Sequence, residues 1–281
     1  MIKAKELVFE YASYDEDAQR TQVLQGIDMS VAKGEFIAIV GCNGSGKSTL
    51  ARHFNALLTP TGGTLWIDGK DTKDAALLWD VRQQVGMLFQ NPDNQIVASI
   101  VDEDVAFGPE NLGVPSDEIR HRVDNALSAV GMTEYAASSS NHLSGGQKQR
   151  IGIAGVLAMV PDCIVLDEPT AMLDPSGRKE VLDAVSQLNR EMGITVILIT
   201  HFMEEAARAG RIMVIDKGNV VMNGTPRDVF SQVEEMRNLG LSVPQVTVLA
   251  HELRVQGLPI DDTILTVDEF LQNPVIKGLT V

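Results

Sequence analysis

The feature that most constrains this chain is Gly41-Cys42-Asn43-Gly44-Ser45-Gly46-Lys47-Ser48, which fits the pattern G-x-x-x-x-G-K-[ST]. Before it stands the apolar run Phe36-Ile37-Ala38-Ile39-Val40, read as a strand; after it, the apolar spacing from Ser48 to Leu58 predicts a helix. Glycines at Gly41, Gly44 and Gly46, with Ser45 between them, let backbone N–H groups turn toward phosphate oxygens, and the helix N-terminus adds its dipole. Lys47 is expected to reach the outer phosphates and Ser48 to offer a hydroxyl to Mg²⁺. Asn43 and Thr49 are further candidates whose roles the sequence leaves open. The implied ligand is a nucleoside triphosphate with its magnesium ion.

Two later runs, Cys163-Ile164-Val165-Leu166 and Thr195-Val196-Ile197-Leu198-Ile199, are also nearly continuous apolar stretches rich in branched side chains. Such runs suit parallel strands covered on both faces. The three strands end in Gly41 onward, in Asp167-Glu168 and in Thr200-His201. Ligands of open α/β sheets gather at the carboxyl ends of strands, so these endings should meet at one site. Two carboxylates there need a cation or water: Asp167 is expected to support the Mg²⁺ shell, and Glu168 to polarise the water that attacks a γ-phosphate. His201 is placed to sense that phosphate or water. His53, His121, His142 and His251 have no comparable context.

Helical spacing also recurs over Glu118–Val130, Gln147–Ala158, Lys179–Met192 and Glu204–Ala209. Short alternating patterns at 7–11 and 27–31 read as half-buried strands, with a polar loop from Ala12 to Gln22 between them. The stretch from Asn91 to about Met159 is helix-rich and predicts a helical subdomain inserted in an α/β core. Beyond Gly224-Thr225-Pro226, amphipathic segments at 229–239, 246–255 and 267–271 predict a small helical tail.

A formal charge of −15 repels phosphate backbones and disfavours nucleic acid as a partner. Two cysteines without metal-like spacing suit a reducing compartment. No apolar run reaches the roughly 18 residues needed to span a membrane, and the N-terminal residues lack a cleavable leader pattern.

Leu143-Ser144-Gly145-Gly146-Gln147 opens a helix with small residues that expose N–H groups and a hydroxyl to an anion. With Gly41 to Ser48 and Asp167-Glu168 in this order, the chain resembles the ATP-binding-cassette (ABC) ATPases over about residues 1–230. The resemblance implies an α/β P-loop core of ABC type, with an N-terminal antiparallel β subdomain, the inserted helical subdomain at about 91–159, and a helical extension over 231–281. It also implies a stacking contact of Tyr11 with adenine. Gln90 would link the magnesium site to the helical subdomain, and Asp174 of Ala171-Met172-Leu173-Asp174 would make a contact across a dimer. Ser144, Gly145, Gly146 and Gln147 would act on the nucleotide of a partner subunit in a head-to-tail pair. Cys42 and Met172 depart from the usual family residues, although Glu168 is present and the hydrolytic site is not degenerate.

The segments Gln90-Asn91-Pro92-Asp93-Asn94-Gln95 and Val105 to Gly113 resemble those of the energy-coupling factor ATPases, which power vitamin and metal-ion uptake. That resemblance implies a second ATPase, identical or paralogous, a transmembrane coupling (T) protein, a substrate-binding membrane (S) subunit, and a place at the cytoplasmic face of the cell membrane. Other ABC import or export motors share the ATP-site motifs. A soluble ABC ATPase acting on DNA or ribosomes would show a coiled-coil insertion, paired cassettes or a basic surface, and the sequence has none of these.

Overall fold

A computed structural model describes residues 1–12, 21–261 and 263–279. Most of the expected loop from Ala12 to Gln22 lies outside the described residues, while Thr21 and Gln22 already belong to a strand. In chain order the strands are β1 (Ile2–Tyr11), β2 (Thr21–Val31), β3 (Phe36–Val40), β4 (Gly62–Ile67), β5 (Lys70–Asp71), β6 (Val85–Leu88), β7 (Cys163–Asp167), β8 (Thr195–Ile199), β9 (Arg211–Asp216) and β10 (Asn219–Gly224). They form an antiparallel sheet in the order β2-β1-β4-β5 and a second sheet in the order β10-β9-β3-β8-β7-β6. In the second sheet β6, β7, β8, β3 and β9 run parallel, and β10 closes one edge antiparallel to β9.

The near-continuous apolar runs are explained by where alternate side chains go. Phe36, Ala38 and Val40 of β3 enter one core cluster, and Ile37 and Ile39 enter the other. Ile164 and Leu166 against Cys163 and Val165 repeat the split on β7, as do Val196 and Leu198 against Ile197 and Ile199 on β8. A polar residue at either set would be buried, so both must be apolar. One cluster is shared with β1, β2, β4 and the helix α1 (Lys47–Phe54); the other lies under the helices.

After α1 come α2 (Leu78–Gln84), α3 (Val101–Asn111), α4 (Ser116–Ala129), α5 (Gly145–Ala158) and α6 (Pro175–Met192). Helix α6 has the punctuation expected of a well-defined helix: Asp174 as N-cap accepting from Gly177 N, Pro175 in the first turn, and Gly193 at φ 66 as the end. Helix α1 is shorter than its apolar spacing suggests, because Asn55 caps it and Ala56 turns into the left-handed region at φ 51. Helix α7 (Met203–Ala206) likewise stops before Ala209. In the tail, the expected segment at 229–239 is two helices, α8 (Pro226–Phe230) and α9 (Val233–Asn238), followed by α10 (Gln245–Val255), α11 (Val267–Gln272) and α12 (Pro274–Leu279). Val229, Phe230, Val233 and Met236 are buried in the larger core cluster, whereas Ala250, Ile260 and Ile264 form a small core of their own.

Candidate functional site

The phosphate loop is wedged between two strands, and its glycines follow from that crowding. A Cβ on Gly41 would lie 2.2 Å from the Ile215 carbonyl oxygen at the end of β9. A Cβ on Gly46, which sits at φ 106, would lie 3.0 Å from Leu24 Cδ2 and 3.1 Å from the Val23 carbonyl oxygen of β2. Gly218 N donates to Ser45 O and ties the loop to the β9–β10 turn. The first amides of α1, like those of any helix, have no intrahelical acceptor, and no side chain caps them at Gly46. The Ser45 hydroxyl is buried and has no hydrogen-bond partner in the protein.

Lys47 is buried, and its Nζ donates to the carbonyls of Gly41 (2.8 Å) and Cys42 (3.0 Å). Burial lowers its pKa, against the opposing pull of Glu168 and Asp167. The ammonium is thus held inside the loop, where it can exchange two carbonyls for phosphate oxygens. Asp167, 8% exposed at the end of β7, accepts from Ser48 Oγ at 3.0 Å. Burial raises its pKa, and the Ser48 hydrogen bond acts in the opposite sense.

Glu168 follows with its backbone in the left-handed region, φ 51, an unusual place for a side chain with a Cβ. Its amide donates to Ile199 O of β8 at 2.9 Å. The same carboxylate oxygen, Oε2, accepts from Gln90 Nε2 at 3.0 Å and lies 3.5 Å from His201 Nδ1. Strands β3, β7 and β8 are neighbours in the sheet, and their three endings meet as the sequence led one to expect. Gln90, just beyond β6, completes the cluster from the adjacent strand.

Tyr11 ends β1 half-exposed above the start of α1; its hydroxyl is 3.2 Å from Thr49 Oγ1 and its ring packs edge-on to Phe9. Asn43 lies exposed in the loop. Ser144 to Gln147 do not join this cluster. Ser144 and Gln147 form a reciprocal capping box at the start of α5, and Gly145 and Gly146 abut Leu173 and Gly177. Asp174 is exposed and caps α6 beside them. Within one chain the Ser144–Gln147 cap and Asp174 thus sit together, apart from the cluster around Asp167 and Glu168.

Two polar residues that sequence reasoning missed support these loops. Gln149, fully buried on α5, donates from Nε2 toward Phe89 O, next to Gln90. Glu205 on α7 is buried under the loop that carries His201. Both sit in strings of charged or amide residues that read as a solvated helix face, and no sequence signal sets them apart.

The donor set suits magnesium. Among the described residues no group of three or more His, Cys, Asp or Glu is arranged to hold a metal. Mg²⁺, however, is usually held by one or two protein oxygens with waters and substrate phosphates. The Ser48 hydroxyl and the Asp167 carboxylate supply hard oxygens at the mouth of the loop.

The chain is similar to known proteins over most of its length. A family model described as ABC transporter matches residues 24–171. The energy-coupling factor transporter ATP-binding protein EcfA1 of Clostridium perfringens is 59% identical over 271 residues, 96% of each chain. That of Caldanaerobacter subterraneus subsp. tengcongensis is 58% identical over 272 residues, 97% of this chain and 98% of the other. The solved structure of cbiO1 from Clostridium perfringens, part of the ABC transporter complex cbiONQ, superposes with a TM-score of 0.76 at 38% identity, covering 90% of this chain and 98% of that one. A dimeric post-hydrolysis structure of the ATP-binding cassette MJ0796 bound to ADP and Pi gives 0.71 at 31% identity, over 80% and 99% of the two chains.

Proposed function

This chain belongs to the ABC transporter family, among the energy-coupling factor ATP-binding proteins, and we propose that it is the ATP-hydrolysing subunit driving uptake of a micronutrient, a vitamin or metal ion, across a membrane. One observation carries the hydrolytic reading: Lys47, Ser48, Asp167, Glu168, Gln90 and His201 converge from four strand ends on one point, at separations of 3.0–3.5 Å for the polar pairs outside the loop.

In this reading the loop amides from Gly41 to Thr49 and the α1 N-terminus hold the phosphates, and Tyr11 stacks on the base. Lys47 turns from its two carbonyls to the outer phosphates. Ser48, Asp167 and Gln90 would hold Mg²⁺, which when bound neutralises charge on the transferring phosphoryl group. Glu168 orients the attacking water and takes its proton, and His201 braces that carboxylate and the γ-phosphate. Gln90, bonded to the same oxygen, carries the state of the site toward the helical subdomain over 91–159.

The outward-facing Ser144–Gln147 cap and Asp174 act on the nucleotide of a second ATPase, identical or paralogous, so that two sites form head to tail. That the MJ0796 cassette was solved as a dimer supports a pair. The extension over 231–281, beyond a nucleotide-binding domain of 1–230, helps hold the pair together. Trp79, Met87, Phe89, Val97, Phe107 and Met159 line an apolar groove of about 460 Å³ between β6 and the helices. Trp79, Val97 and Phe107 remain half or more exposed, which suits docking of a T protein that is joined in the membrane by a substrate-binding S subunit. Among the described residues no helix is long and apolar enough to cross a membrane. The energy-coupling assignment puts the chain at the cytoplasmic face as a peripheral subunit. Native mass spectrometry of the detergent-solubilised assembly tests this: two ATPase chains with two kinds of membrane chain are expected, and a soluble binding protein in place of the S subunit overturns the energy-coupling assignment.

A further inference from the structure

Two loops used in that reaction are joined by a carboxylate it does not use. Glu205, 4% exposed on α7, accepts hydrogen bonds from Thr170 Oγ1 at 2.6 Å and from Thr200 Oγ1 at 2.7 Å. Thr170 stands two residues after Glu168, and Thr200 immediately precedes His201. Both threonines are buried, at 1% exposure. Thr200 Oγ1 also accepts from Phe202 N at 3.0 Å, fixing the turn on which His201 sits. Among the described residues Glu205 pairs with no basic side chain, and a buried acid facing only hydroxyls is a poor source of stability. It is a good source of stiffness, because both bonds are short and directional.

A second tie crosses the same gap. The Arg178 guanidinium of α6 lies 3.8 Å over the Phe202 ring, and its Nε donates to Leu173 O at 3.0 Å. Phe202 in turn lies against His201, with ring centroids 4.0 Å apart. The loop running from Glu168 to Asp174 and the loop from Thr200 to Phe202 are therefore fastened at two points and cannot shift independently.

We propose that Glu205 is a positioning residue: through Thr170 and Thr200 it sets the Glu168–His201 separation and passes any displacement of the Asp174 loop to His201. The inference rests on the hydrolytic reading above. It assigns Glu205 no contact with nucleotide, so its removal acts on turnover rather than on affinity.

The test measures phosphate release and ATP affinity on the full chain in the assembly purified from membranes. Glu205→Ala should lower kcat by about tenfold or more, since misplacing a catalytic group by about 1 Å can cost about a hundredfold, and leave KM and affinity within about twofold. Glu205→Gln, which keeps an acceptor for one hydroxyl and a donor for the other, should recover most of the rate. Thr170→Val severs the tie at Oε1 while Thr200 still donates to Oε2; it should reproduce the kcat loss, and decides the matter if Glu205→Ala melts early. In a His201→Ala background, Glu205→Ala should add nothing. Wild-type kcat in Thr170→Val, a loss confined to KM, or an additive loss on His201→Ala overturns the proposal alone. A wild-type assembly that does not hydrolyse ATP, or a Glu168→Gln variant that turns over normally, overturns the hydrolytic reading and this inference with it.

Discussion

Replacing Glu168 by Gln changes one oxygen to an amide and leaves nearly everything else in place. The φ of 51 that the backbone holds there is no worse for Gln than for Glu. Gln90 Nε2 keeps an acceptor in the amide oxygen, and the bond from Glu168 N to Ile199 O involves no side chain. The change removes a negative charge beside Asp167, whose pKa that charge helps to raise after burial, so the nucleotide-free fold should lose no stability, or less than about 1 kcal/mol. What disappears is the ability to take a proton from water. General-base catalysis contributes about 10²–10⁴ in rate, or roughly 2.7–5.4 kcal/mol of barrier, and kcat should fall by that factor. ATP affinity should stay within about threefold, because the phosphates are held by the loop, by Lys47 and by Ser48. Single-turnover phosphate release, nucleotide titration and melting curves on the same preparation separate these terms, and sizing in the presence of ATP should show the closed pair accumulating. Turnover within a factor of about three of wild type, with affinity intact, would refute the assignment of Glu168 as the base.

Three other outcomes are expected. Asp167 has a pKa raised above its ordinary value of 3.8 by burial, so the folded chain binds that proton more readily than the unfolded chain. Its ionisation costs stability above the raised value, and the cost vanishes as pH falls toward 3.8; nucleotide-free wild type should therefore gain melting temperature relative to Asp167→Asn on acidification, and parallel curves would count against it. At Gly86 an added Cβ would lie 2.1 Å from Val156 Cγ1, so Gly86→Ala should cost about 1–3 kcal/mol in chemical denaturation and Val156→Ala should restore part of it; no restoration would mean the clash lies elsewhere. N-ethylmaleimide should modify Cys42, which is partly exposed, and spare Cys163, which is fully buried with its thiol pKa pushed up. Intact-mass analysis should then show one adduct, formed more slowly with ATP present, and two adducts on the folded chain would contradict the burial of Cys163.

The parts legible in sequence share a property: their chemistry demands a residue type at a fixed local spacing. The loop from Gly41 to Ser48 and the strands before Asp167 and Thr200 were readable because a parallel strand buried on both faces leaves no room for polar side chains. Strand β10 alternates between exposed and half-buried positions at the sheet edge, and β4 is short and glycine-led, so neither announces itself. Strand β2 runs further back than its apolar part, since pairing with β1 absorbs several register shifts. The capping box at Ser144 could be foreseen, but its distance from Lys47 within one chain comes from the path of α3 to α5 and not from any local pattern. Glu205 and Gln149 escaped for the complementary reason: a polar residue among other polar residues of a helix is ordinarily solvated, and only the tertiary fold decides that these two face inward.

Where α5 meets α6 the two helix starts touch glycine to glycine, a Cβ on Gly146 falling 3.1 Å from Gly177 Cα. At that point main chain meets main chain, with the Leu173 side chain packed beside it. In the pair proposed above, a subunit pressing on Asp174 would carry the Ser144 cap with it, by contact between main chains.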